Sequence, residues 1–185
     1  MRKGAKPVPV NMKQMIFDAF IALSREKSVD KITVKDLVEA CHISRQTFYY
    51  HFQDIVEVIE WAFQQALEEA LSRSLAAESA EEALRSLISC AMEEQELIRK
   101  LLASQRRQQV EQMVVRYVRT YLQQMIQQKP PETPISYSDA QVVLDFCTYG
   151  IVGLLMEHCA SRPVDQEKLA RQMCRLLTGK MSQAQ

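Results

Sequence analysis

The densest group of chemically versatile side chains lies between Ser44 and Phe52, in the run Ser-Arg-Gln-Thr-Phe-Tyr-Tyr-His-Phe. At helical spacing Phe48 and Phe52 share one face, and Arg45, Gln46, Tyr49 and Tyr50 fall on the opposite side. An arginine and a glutamine on such a face can form paired hydrogen bonds to the major-groove edges of guanine and adenine. Thr47, Tyr49 and His51 can donate to phosphates, which positions a helix without reading sequence. Ser44, as a cap, frees the helix N-terminus to point its N–H groups and positive dipole end at phosphate. The plainer alternative is a packed helix pair with a wet polar face. Two tyrosines beside an arginine argue against it, because a solvated face usually carries lysine and glutamate.

The remaining reactive residues do not assemble into catalytic patterns. There are three histidines, His42, His51 and His158, and two lie in or next to this run. No phosphate loop, HExxH motif or GxSxG elbow occurs. His158 and Cys159 are adjacent, so on a helix they point about 100° apart and cannot form a dyad. The five cysteines are spread out without a CxxC, which fits reduced thiols rather than a disulfide frame or zinc site. No enzyme activity, metal or cofactor is expected.

Stepping along the chain, the elements that must position the Ser44–Phe52 run are all helical. Asn11 caps a helix carrying Ile16, Phe17, Phe20 and Leu23, and residues Ser28–Ile32 break it. Thr33 caps a short helix with Val34, Leu37, Val38 and Cys41 on one face. The turn Cys41–Ser44 leads to a third, from Arg45 to about Phe52, completing a helix-turn-helix. Asp54 caps a long helix, about 54–78, containing Trp61. Ser79 with Glu82 predicts a capping box, followed by helices from Glu94 to Ala103 and from about Arg106 to Gln127. Residues 129–134 (KPPETP) must be loop. Ser138 then caps a helix to about Ala160, and Pro163 starts a last one to about Thr178, stopped by Gly179.

The reading is an all-α protein of about nine helices. It has a flexible basic arm (1–10), a three-helix helix-turn-helix domain (11–53) and a helical bundle (54–185), the helix 54–78 linking the two domains. Composition agrees. Four glycines and six prolines in 185 residues leave too few turns for a β-sandwich or a doubly wound sheet. The net charge is zero, which excludes a uniformly basic nucleic-acid binder, yet residues 1–53 carry 9 basic and 5 acidic side chains. No apolar stretch long enough for a membrane span is expected, because Val142–Met156 is short and holds Asp145. The chain reads as cytoplasmic.

In the bundle, Met113, Tyr117, Tyr121 and Met125 recur at spacing four. This is a core stripe or, for some members, the wall of a pocket. Trp61, Met92, Leu97, Met113, Tyr117, Tyr121 and Phe146 are the candidate lining. Apolar with a few hydroxyls, it would suit a neutral or weakly polar small molecule, although the bulk of Trp61 fits core first. The segment Val142–Met156 is apolar round most of its circumference, and Gly150 and Gly153 permit close helix approach. It reads either as a central buried helix or as a dimer seam, formed by Val143, Gly150, Gly153 and Leu154 with Leu169, Met173, Leu176 and Leu177 of the last helix.

Phe17-Asp18-Ala19-Phe20, Ile32-Thr33-Val34, Ile43-Ser44 and Thr47-Phe48-Tyr49-Tyr50-His51-Phe52 together resemble the N-terminal domain of TetR-type transcriptional regulators. The likeness covers about residues 12–60; the remainder is similar only in layout. With Ile59-Glu60-Trp61 further along, it also resembles the subgroup that includes dihydroxyacetone-kinase regulators. The resemblance implies base-edge contacts from Arg45, Gln46 and Tyr50, and phosphate contacts from Thr33, Thr47, Tyr49 and His51 on double-stranded DNA. It also implies a homodimer, which favours the seam reading, and a small-molecule effector, with repression as the expected action. Two positions depart from the family pattern. His42 stands where a left-handed glycine is usual, at a cost on the order of 1 kcal/mol. Ile55 stands where a phosphate-binding lysine is usual. Lys3 and Lys6 of the basic arm could compensate. The competing reading is a helical protein-interaction module or co-regulator with weak or no DNA binding.

Overall fold

The computed structural model describes residues 11–130, 136–160 and 165–177. Among these residues there are nine α-helices and no strand: α1 (Met12–Glu26), α2 (Val34–Ala40), α3 (Arg45–His51), α4 (Ile55–Ala76), α5 (Ala80–Glu93), α6 (Gln95–Leu102), α7 (Arg107–Gln128), α8 (Tyr137–Ala160) and α9 (Gln166–Leu177). A single 3-10 turn, Val29–Lys31, fills the break after α1. The chain divides into two compact units, 1–62 and 63–185, and the division falls within α4.

Side-chain caps start most of these helices. Asn11 Oδ1 accepts from Gln14 N at 3.3 Å, and Asp54 Oδ1 accepts from Glu57 N at 3.0 Å. Ser79 Oγ accepts from Glu82 N at 3.1 Å. The expected reciprocal bond there is displaced by one residue, since Glu82 Oε2 accepts from Glu78 N at 2.8 Å. The cap of α8 is Ser136 rather than Ser138: its Oγ accepts from Asp139 N at 3.1 Å. Asp165 Oδ1 caps α9 through Lys168 N at 2.9 Å. Pro163, Gly179, residues 131–134 of the predicted loop and the arm with Lys3 and Lys6 lie outside the described residues.

In the first unit α1, α2 and α3 pack pairwise. Ile16, Phe20, Leu37, Phe48 and Val58 are fully buried there, and Ile32, Phe52 and Ile59 almost so. Each such side chain contributes about 1.5–3 kcal/mol of transfer free energy, so this small unit owes its stability chiefly to them. In the second unit, α5 packs on α9, and α8 lies against α5, α6 and α7. Its core unites Ala70, Leu84, Leu87, Ile88, Val118, Tyr121, Ile151, Val152, Leu155, Leu169, Ala170 and Met173.

Leu169 and Met173 are therefore part of the chain's own interior, 5% and 2% exposed. Their expected place on a dimer seam is corrected. α9 is amphipathic, and these residues form its inward stripe, leaving Leu176 (53%) and Leu177 (40%) outside.

α8 is sided in a way its composition conceals. Leu144, Thr148, Ile151, Val152, Leu155 and Cys159 point inward, and Val142, Val143, Phe146, Tyr149, Gly150 and Gly153 are exposed. The inner face is fixed by an ion pair between Asp145 and Arg119 of α7, and by Gln95 Nε2 of α6 donating to His158 O at 3.2 Å. By length and composition, Ser138–Cys159 does qualify as long and apolar enough to cross a bilayer, contrary to the sequence expectation. About a third of that window is buried inside the chain, where it packs on three neighbouring helices, and its other side is bare.

Candidate DNA-binding face

Thr33 opens α2 with a full capping box. Its Oγ1 accepts from Asp36 N at 3.2 Å, and Asp36 Oδ2 accepts from Thr33 N at 2.7 Å and from Thr33 Oγ1 at 2.6 Å. Lys27 Nζ lies 2.7 Å from the other carboxylate oxygen. These hydrogen bonds, that of Lys27 first, hold the Asp36 carboxyl well below the usual carboxylate range. The Thr33 hydroxyl proton is thus committed to Asp36, which leaves it poorly placed to donate to a phosphate as expected.

The turn closes by two backbone bonds, Ile43 N to Val38 O at 3.0 Å and His42 N to Glu39 O at 3.2 Å. This pattern is a Schellman motif, and it demands a left-handed residue just beyond the helix end. His42 supplies it at φ 54°, the only positive-φ non-glycine residue among those described. The expected departure from glycine is therefore real, and histidine accepts it better than a branched residue would.

Ser44 then caps α3, its Oγ accepting from Thr47 N at 3.0 Å. Phe48 is fully buried, meets Phe52 at 6.1 Å between ring centroids, and anchors the helix. Arg45, Gln46, Tyr49 and Tyr50 are exposed, and Thr47 and His51 are half-buried. Among the described residues no hydrogen bond or ion pair engages the Arg45 guanidinium or the Gln46 amide. Tyr49 lies edge-on to Phe48 (5.5 Å, 86°), and Tyr50 edge-on to His51 (5.0 Å, 88°). Gln46, Tyr49 and Tyr50 are thus exposed as the spacing predicted, but Arg45, three residues before Phe48, leaves α3 on the Phe48 flank rather than opposite it, and the Thr47 hydroxyl is paired with Ser44 Oγ at 2.9 Å.

Ile55, at the start of α4, is buried at 7% exposure. The isoleucine fills core. Asp54 and Glu57 complete that helix start, with Glu57 accepting from Gln53 N. The sequence flagged the missing lysine but not that its replacement is a packing residue.

The candidate effector residues are dispersed. Trp61 belongs to the first unit, where, half-buried, it packs on Phe17 (6.0 Å) and Phe52 (6.3 Å). In the second unit Leu97 and Met113 are buried, Met92 is half-buried, and Tyr117 stacks on Phe63 at 6.3 Å. Tyr121 is 2% exposed, and its hydroxyl donates to Ser74 Oγ at 2.8 Å, which in turn donates to Ala83 O at 3.0 Å. Burial raises its pKa. That hydroxyl is spent on the core and is no handle for a ligand. Phe146 is 76% exposed on the outer side of α8, so it lines no interior cavity. Both placements correct the expected lining.

A capped helix, a left-handed turn and a second capped helix with a free polar and aromatic face define a helix-turn-helix protein, here joined to an all-helical second unit. Residues 16–60 match the family described as bacterial regulatory proteins, tetR family, and residues 78–179 match a transcriptional regulator C-terminal region. The chain belongs to the TetR family of transcriptional regulators. The HTH-type dhaKLM operon transcriptional activator DhaS of Lactococcus lactis subsp. lactis (strain IL1403) is 32% identical over 60 residues, 32% of either chain. The matched stretch thus spans about a third of that protein. Among solved structures, the dihydroxyacetone kinase operon activator DhaS superposes with a TM-score of 0.73 at 22% identity, covering 93% of this chain and 97% of that one. The repressor AlkX from Dietzia sp. strain DQ12-45-1b gives 0.58 at 17% identity, covering 90% and 95%. The fatty acid degradation regulator FadR from Bacillus halodurans gives 0.56 at 14%, covering 97% and 99%. These structures share the fold.

Proposed function

We propose that the protein is a cytoplasmic, homodimeric regulator that binds a palindromic operator through α3 of each copy and changes its DNA affinity when a small-molecule effector binds. The observation that carries this reading is the surface of α3: Gln46, with an unengaged amide, and Tyr50 set opposite a fully buried Phe48, with exposed Tyr49 and the unengaged Arg45 guanidinium on its flank.

The dimer rests on α8. Val142 is 67% exposed, Phe146 76% and Tyr149 64%, and a Cβ added at Gly150 or Gly153 would meet nothing within 4 Å. Such a contiguous apolar stripe on a helix otherwise packed into a bundle marks an interaction surface. The seam takes Val143, Gly150, Gly153, Leu154 and Leu176, joined by Val142, Phe146, Tyr149 and Leu177. A two-fold pairing there would give two recognition helices to fill major grooves one turn apart, about 34–36 Å.

An effector acts only by binding one spacing of those helices better than another. Met92, Leu97, Met113 and Tyr117 are the residues of the second unit we assign to meet it, and their apolar character selects a neutral or weakly polar molecule. DhaS is named as an activator and AlkX as a repressor. For this chain we propose repression, since occupying a promoter excludes polymerase without any further contact. The burial of Ile55 and the zero net charge favour one second reading, a helical co-regulator that docks on protein and holds DNA weakly.

A mobility-shift assay with the DNA flanking its own gene separates the two. The regulator shifts that DNA, and Arg45→Ala weakens the complex by about 1–3 kcal/mol. Absence of any shift by the wild-type protein selects the co-regulator.

A further inference from the structure

We infer that two copies of the chain meet with their α8 helices antiparallel, the Phe146 ring of each seated in the hollow that Gly150 and Gly153 leave on the other; this rests on the dimer proposed above. At about 100° per residue, Val142, Phe146, Gly150 and Gly153 lie within about 40° of one line down α8, with Val143 and Tyr149 about 60° to either side. Phe146 is the largest side chain on that line and is 76% exposed. The two glycines follow it, and a Cβ added at either would meet nothing within 4 Å. No neighbouring helix of the same chain therefore needs their lack of a side chain. A glycine inside a helix weakens it relative to alanine, and here no contact within the chain offsets that. The bare face of α8 carries a projection and a hollow side by side.

A two-fold interface is its own complement: where residue i of one copy meets residue j of the other, j of the first meets i of the second. Two pairings of α8 satisfy this. With the helices parallel, each residue meets its own counterpart, so two Phe146 rings compete for one space and the glycines face each other across a void. With the helices antiparallel and crossing at the level of Thr148–Gly150, midway between Phe146 and the glycines, each ring enters the other copy's hollow. Gly150, near the crossing, lets the two backbones close up. Voids and overlaps both cost stability, so close packing selects the antiparallel seam. The face is also large enough to matter. Phe146 and Tyr149, at 76% and 64% of about 150–250 Å² each, bring roughly 200–350 Å² of the about 800 Å² per copy that stable interfaces bury, and Val142 and Val143 add to it.

The test is a double-mutant cycle on the dimer dissociation constant of the full-length protein, read by sedimentation equilibrium. Phe146→Ala removes the ring and weakens the dimer at least about thirtyfold. Gly153→Leu fills the hollow and weakens it at least about tenfold. Within one copy the two positions stand about 10 Å apart along α8, too far to couple directly. Across the antiparallel seam the leucine of one copy enters the space vacated by the ring of the other. The double variant therefore dimerises at least about tenfold more tightly than the product of the two single losses. Helical circular dichroism is unchanged in all three variants, since both positions face away from the interior. Gly153→Ala, which favours the helix itself, still weakens the dimer, by a smaller factor. Losses that simply multiply overturn the antiparallel seating but leave the dimer standing, as does a Gly153→Ala or Gly153→Leu variant that dimerises as tightly as the wild type. A wild-type protein that is monomeric at micromolar concentration overturns the dimer and this inference with it.

Discussion

Replacing Phe146 by glutamate tests the proposed dimer at the most exposed aromatic side chain described on α8. A phenylalanine presents about 150–250 Å² when fully exposed. With 76% of its surface bare in the single chain, docking a second copy would cover on the order of 150 Å². At about 25 cal/mol per Å² this is close to 4 kcal/mol per copy as an upper value. Interface truncations usually realise about 2–4 kcal/mol for a central aromatic. The proposed two-fold interface would contain the residue twice, and a buried, unpaired carboxylate would add its own penalty. Phe146→Glu should therefore raise the dimer dissociation constant by at least about a thousandfold. Sedimentation velocity at micromolar concentration reads the result as a dimer for the wild type and a monomer for the variant. Because Phe146 holds no place in the chain's interior, the helical circular dichroism should be unchanged. A wild-type monomer, or a variant that dimerises as tightly as the wild type, refutes the seam.

Other perturbations follow from the same geometry. His42→Gly should stabilise the first unit by about 0.5–1 kcal/mol, measured by denaturant titration, because the Schellman turn already imposes a left-handed φ at that position. The Asp36 carboxyl is held low, so its contribution is present above the ordinary carboxylate range, near pH 4, and is lost as pH falls through the depressed value. Asp36→Asn should lower the melting temperature at neutral pH and flatten its decline below about pH 4. Tyr121→Phe should cost about 1 kcal/mol for one buried hydrogen bond, and Tyr121→Ala about 3–5 kcal/mol for the cavity, with neither change acting first on effector response.

How far the sequence could be read depended on whether local spacing or tertiary packing decided the question. The helix-turn-helix is local. Thr33, Ser44 and the Phe48–Phe52 pair set caps and faces within a few residues, and the left-handed position at His42 was legible only through the family resemblance, which puts a glycine there. α8 was different. A helix apolar all round carries no periodicity to say which side is covered, so Phe146 was placed inside and Leu169 and Met173 outside. The signal was still present in part: Val142, Phe146, Tyr149 and Gly153 form one stripe, and Leu144, Thr148, Ile151, Leu155 and Cys159 another. Only the Arg119–Asp145 pair and the packing on α5, α6 and α7 tell them apart. Tyr121 was misassigned for a related reason, since its partner Ser74 lies 47 residues away. Ser138 lost the cap to Ser136 because both precede an acceptable first turn.

The most direct measurement is hydroxyl-radical footprinting of the full-length protein on DNA selected from a random pool. The account predicts two protected half-sites related by a dyad and centred one helical turn apart, about 10–10.5 base pairs, with protection lost from both in Arg45→Ala at matched concentration. A single unsymmetrical footprint, or none at concentrations where the protein is dimeric, would contradict it.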